Sequence, residues 1–166
     1  MRTWNWGIFV EASGAVAILA GLVFVGLQMQ QEQAISIAEL QQELIASRIS
    51  LSELESSHAD LLAKANSGME LSEPEDTQLE SLVMSHWGWA FFGQRRWEAM
   101  NHPAVNFPLV GLVQFLMDNP AALRVYKIRE KRMKDARSRL GLGGTIQDRF
   151  DSQVDEYLAV LMKDKN

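Results

Sequence analysis

The feature that most constrains this chain is WGIFVEASGAVAILAGLVFVGLQ, residues 6–28, an apolar run interrupted by one glutamate and four glycines. As an α-helix, Trp6 to Leu27 would extend about 33 Å at about 1.5 Å per residue, which matches a hydrocarbon core of about 30 Å. Trp4 and Trp6 mark one edge, where amphipathic indoles favour the headgroup layer, and Gln28, Gln30 and Gln31 open a polar segment at the other. A transmembrane anchor over 1–28 and an extramembrane helical domain over 29–166 are therefore expected. A cleaved secretory signal is the competing reading, because Arg2 precedes the run and Ala15-Val16-Ala17 resembles a cleavage site. The run continues well past that site, further than a signal peptide needs.

Gly7, Gly14 and Gly21 recur every seven residues and fall near one helix face, with Ser13 and Ala17 adding small residues beside them. Such a face lets another helix approach closely. Glu11 projects from the same face, and a carboxylate inside a bilayer is costly unless it snorkels, is protonated or finds a donor on a neighbour. Gly7, Glu11, Gly14, Ala17 and Gly21 are thus the expected packing surface for other transmembrane subunits, or for a second copy of the chain. The plainer reading of Glu11 is a side chain that reaches the interface unaided, since it lies only about 7.5 Å in from Trp6.

Orientation follows from charge at the helix ends. Arg2 and the α-amino group precede the apolar run, and no Lys or Arg follows it before Arg48, so the rule for positive charge places the N-terminus in the cytoplasm and the domain outside, periplasmic in a bacterium.

The formal net charge of −5 conceals a segregation. Residues 31–82 hold eleven acids against two bases, and residues 119–150 hold nine bases against three acids. These blocks pair within the fold, face separate partners, or are simply solvated. Nucleic acid is not an expected partner, because the basic stretch is short and its one aromatic before the last helix is Tyr126. The chain has no cysteine, which excludes disulfides, thiolate metal sites and cysteine nucleophiles.

Beyond the membrane segment, Ile37, Leu40, Leu44, Leu51, Leu54 and Leu61 follow a three-four alternation from which only Ser47 and His58 depart, widened by Ile45, Ile49 and Leu62. One long amphipathic helix continuous with the anchor is expected, ending at Asn66-Ser67-Gly68, and it is either packed by later helices or used as a coiled-coil stalk. Ser72-Glu73-Pro74-Glu75 should cap a second helix. It carries HWGWAFFGQRRW, residues 86–97, in which Trp87, Trp89, Phe92 and Trp97 form a candidate partner surface unless the helix is buried in a small bundle. A short apolar helix through Met117 and a basic one from Asn119-Pro120 follow. In the basic helix Leu123, Tyr126, Met133 and Leu140 share one side. The last helix opens at Thr145 with Asp148 and turns Ile146, Phe150, Val154, Tyr157, Leu158 and Leu161 inward. The expected fold class is all-α, with the long N-terminal helix packed against about four others.

No reaction can be written from these residues. His58, His86 and His102 have no partner at metal-ligand spacing, and a lone histidine such as His86 on an apolar face reads as a core residue. GLGG at 141–144 reads as a helix stop, not a phosphate cradle. No catalytic residue, cofactor or metal is expected.

The whole pattern resembles a loose set of small, uncharacterised bacterial single-pass membrane proteins. The resemblance rests on a membrane helix ending like LVFVGLQ, a long amphipathic helix, a central Trp-rich helix, FLMDNPAALRVY and the late DRFDSQVDEYL. It covers most of the chain and implies the bacterial inner membrane. Basic residues often follow the membrane helix in those proteins, which implies a cytoplasmic domain, whereas this chain has Met29-Gln30-Gln31 there. The first functional expectation is a non-catalytic accessory subunit of a larger membrane complex, respiratory or photosynthetic in type, that stabilises or spaces its neighbours. A membrane-anchored sensor or regulatory adaptor for a soluble partner comes second, and a membrane-tethered enzyme third.

Overall fold

The computed structural model describes residues 6–99 and 107–163, and the side chains of 13–98 and 107–163. Six helices and no strand occur among them: α1 (Trp6–Ser57), α2 (Ala59–Asn66), α3 (Glu73–Ala99), α4 (Phe107–Asp118), α5 (Pro120–Arg139) and α6 (Ile146–Lys163). The fold is all-α, as its helical periodicities predict. By contact the chain divides into two compact units, Met1–Glu43 and Leu44–Asn166.

The expected single helix from the anchor to Asn66 is interrupted at His58. The Leu54 carbonyl accepts the His58 N–H at 3.2 Å and the Ser57 hydroxyl at 2.8 Å, and it lies 3.0 Å from His58 Nδ1. Ser and His side chains compete here for a carbonyl that otherwise serves only the helix ladder, and the chain tightens into a turn. α2 then resumes and stops at Gly68, whose φ of +79° a side chain would strain.

The starts of α3 and α6 are built alike. Glu75 accepts the Ser72 N–H and hydroxyl, each at 2.7 Å, and Asp148 accepts those of Thr145 at 2.8 and 2.9 Å. At α6 the contact is reciprocal, because the Asp148 N–H donates back to the Thr145 hydroxyl at 3.2 Å. In both cases a base from the preceding helix closes the site: Lys64 on Glu75 and Arg137 on Asp148, both at 2.7 Å. α5 ends with Leu142 N–H donating to the Arg137 carbonyl and Gly141 N–H to that of Ser138, with Gly141 at φ +68°.

The core lies in the second unit. Leu82, Val83 and Ala90 of α3, Leu109, Leu112, Val113, Phe115 and Leu116 of α4, Ala122 and Tyr126 of α5, and Phe150, Val154 and Leu158 of α6 form its main cluster. From α1, Leu44 and Leu51 are buried and Leu54 packs on the cluster, while Ile45 and Ile49 stay exposed, so the inward stripe is narrower than the sequence suggests. Met133 on α5, Leu140 at its C-terminal cap, and Ile146 and Tyr157 on α6 are likewise exposed. The buried residues of α5, Ala121, Ala122 and Tyr126, all fall in its first two turns.

Candidate functional site

The apolar part of α1 is the first candidate. Its described stretch, Ser13–Ser57, is long and apolar enough to cross a membrane, with mean hydropathy 1.6 in its most apolar window and none of that window buried. A signal sequence near an N-terminus can meet the same criterion of length and apolarity. Side chains 13–39 are all exposed, and a Cβ placed on Gly14, Gly21 or Gly26 would meet nothing within 4 Å. The open face therefore holds Gly14, Ala17 and Gly21; the side chain of Glu11 and the surroundings of Gly7 lie outside the described residues, as does His102.

The aromatic helix is distributed differently from a single patch. Trp87 stacks on Phe91 at 4.9 Å and meets Phe150 edge-on, and its indole N–H donates to Asp151 at 3.1 Å. Trp89 packs on the core with Arg48 5.6 Å over its ring. Trp97 is half-buried and lies edge-on to Phe107 at 5.5 Å. Phe92 alone of the four points outward, 59% exposed. Close helix approach also occurs where the sequence does not advertise it. A Cβ on Gly93 would lie 2.9 Å from Pro108, and one on Gly111 would lie 2.9 Å from the Trp89 ring, so α3 and α4 meet through two glycines.

Among the described residues the buried polar side chains are Asp151, His86 and Gln94, the last bonded to Glu98 and Gln153. Asp151, 5% exposed, accepts from Trp87, and at 3.5 Å from the Tyr126 hydroxyl and from Arg137. Burial raises the pKa of both Asp151 and Tyr126. With three donors from α3 and α5 around it, this carboxylate ties helices together at the floor of a cleft of about 270 Å³ that Met84, Arg129, Glu130 and Met133 help to line. Its partners Arg137, Tyr126 and Trp87 sit 14, 25 and 64 residues away, so no local spacing reveals the cluster. His86, 1% exposed, stacks on Phe115 at 3.6 Å and 6°. Its Nε2 lies 3.3 Å from Glu55 without hydrogen-bond alignment. Burial lowers its pKa to about 4, Arg48 adding to the effect and Glu55 opposing it. Among the described residues no group of three or more His, Asp or Glu side chains could hold a metal ion.

The charge blocks pair in part. Arg129 reaches Glu80 from the acidic block, while Lys127 pairs with Glu130 and Asp155, and Arg137 with Asp148 and Asp151. Arg124, Lys131, Arg132, Lys134 and Arg139 are exposed and form no ion pair among the described residues, which leaves one side of α5 strongly cationic.

Fold and surface together define an all-α protein whose N-terminal helix has the length and apolarity of a membrane span. Comparison with protein-family models, curated proteins and solved structures gives no match.

Proposed function

We propose that this protein is a non-catalytic, single-pass accessory subunit of a larger membrane protein assembly of respiratory or photosynthetic type, in the inner membrane of a bacterium. The observation that carries this reading is the uncovered face of α1: Gly14, Ala17 and Gly21 are exposed, and among the described residues nothing lies within 4 Å of a Cβ placed on Gly14 or Gly21. Small residues on an apolar helix favour close contact with a neighbouring helix, because van der Waals packing is a chief attraction available between helices in lipid. The all-α domain then stabilises or spaces the extramembrane parts of the assembly on the periplasmic side.

The test is extraction from native membranes in mild detergent followed by native-gel mass and partner identification. A subunit co-migrates with a defined complex, and Gly14→Leu with Gly21→Leu abolishes co-migration while leaving membrane insertion intact. Association that survives both leucines would remove the packing face from the argument. A second reading, a membrane-anchored regulatory adaptor, is favoured by the unpaired bases of α5, which suit an acidic soluble partner. An adaptor would migrate alone or as a small homo-oligomer in the same gel.

A further inference from the structure

Within Leu44–Asn166, α1 meets the bundle through one side only. Leu44 and Leu51 are buried there and Leu54 packs on the main cluster, whereas Ile45 and Ile49 are 62% and 56% exposed. At about 3.6 residues per turn these two isoleucines fall on the opposite side of the helix. The same helix carries a repeat of seven. Gly14, Gly21, Gln28, Ile35, Gln42 and Ile49 follow one another at that interval, and Ala17, Phe24, Gln31, Ala38, Ile45 and Ser52 each stand three residues later. All of these are exposed. An interval of seven with a second position three residues on is the spacing at which two parallel helices present matching side chains to each other in a left-handed pair.

We propose that the neighbour which covers this seam is a second copy of the chain, so that the accessory subunit is a parallel homodimer paired along α1. The pairing rests on the reading of α1 as a membrane span, which points both copies in the same direction.

Three features select a copy of the same chain over an unlike helix. No seam side chain is charged, although Glu32, Glu39, Glu43 and Arg48 lie in the same stretch. Each seam residue of a two-fold parallel pair meets its own copy, so a charge there would face a like charge. The polar members of the seam are Gln28, Gln31, Gln42 and Ser52. An amide both donates and accepts, so each glutamine can bond to its own copy, and a polar residue in such a seam sets register and strand number. Finally, Arg48, the only base between Arg2 and Lys64, flanks the seam five residues before Glu53, the offset at which parallel helices form ion pairs across the interface. Glu55 of its own chain takes Nη1 of Arg48, and the guanidinium has further donors for Glu53 of the second copy.

The chain has no native cysteine, so single ones report proximity without background. Full-length Ile35→Cys, Gln42→Cys and Ile49→Cys would be oxidised with copper phenanthroline in native membranes, beside Gln33→Cys and Ser50→Cys as exposed controls off the seam. Facing positions of a parallel pair lie within disulfide reach. The expected result on a non-reducing gel is severalfold more linked dimer at the seam positions than at the controls. Equal yields at seam and control positions, or no dimer at the seam, overturn the homodimer. In the Ile35→Cys chain, Gln42→Glu should lower the yield severalfold and Gln42→Leu should not; a glutamate without effect overturns the pairing of Gln42 with its copy. Mild-detergent extraction of the same membranes separates this inference from the reading beneath it. Seam-linked dimer that migrates alone supports the homodimer and overturns the accessory subunit. Chain that co-migrates with a larger complex without linking at the seam supports the subunit and overturns the homodimer. Chain released by alkaline carbonate overturns the membrane span and the parallel pair together.

Discussion

At the scale of single residues, His86 shows how position sets chemistry. Stacked on Phe115 and shut away from water, it stays neutral in the folded protein, with its pKa lowered from 6.5 to about 4. The unfolded chain takes up that proton near pH 6.5, so stability is full above this value and declines as pH falls from 6.5 toward 4. The loss is on the order of 2 kcal/mol at pH 5. Urea denaturation at pH 7 and pH 5 should show it, and His86→Phe, which retains a ring against Phe115, should flatten the difference. A variant that keeps the full pH slope would assign the effect to another group. The carboxylates act in a separate window. Lys64 and then Ser72 hold Glu75 at about 2, so its contribution is present above 4.5 and is lost as pH falls from 4.5 to 2. That His86 is a core residue was legible, because a lone histidine on an apolar face has few other uses. Its ring partner was not, since Phe115 arrives from another helix.

At the scale of elements, legibility divides by range. The capping pairs Ser72–Glu75 and Thr145–Asp148 span three residues, and the structure forms both. His58 is one of the two departures from the three-four stripe, but a polar residue on that stripe does not by itself warn that Ser57 and His58 will both turn to the Leu54 carbonyl. Besides the glycines of α1, expected to face a neighbouring helix, the bundle has its own close approach at Gly93 and Gly111, which no sequence spacing marks. Which glycine needs its missing Cβ depends on what stands opposite, and that is fixed only when α3 meets α4. α3 offers an internal comparison, because Gly88 has open space around its Cβ position and Gly93 faces Pro108. Gly93→Ala should destabilise the protein by about 1–3 kcal/mol through a clash with a rigid ring. Gly88→Ala should stabilise it by up to about 1 kcal/mol through helix propensity. Shifts of opposite sign in the urea midpoint, at unchanged slope, are the expected result. A loss at Gly88→Ala as large as at Gly93→Ala would show that the α3–α4 contact is not the cause.

At the scale of the molecule, the two compact units differ in what stabilises them. Every buried residue of the two apolar clusters lies between Leu61 and Leu158, and the α1 side chains that join them begin at Leu44. Residues 44–166 expressed alone should therefore be helical and melt cooperatively, as read by circular dichroism; a fragment without a cooperative transition would mean that residues before Leu44 complete the core. Composition foretold an apolar helix and a helical domain, but not the division between the two units at Glu43/Leu44, which no Pro or Gly marks. The two helix starts carry a last consequence. Lys64 of α2 closes the cap of α3, and Arg137 of α5 closes the cap of α6. In each case the closing residue is synthesised before the helix it serves. A chain leaving the ribosome thus has each of these staples in hand when the next helix begins, and the order of translation is also an order in which the domain can assemble.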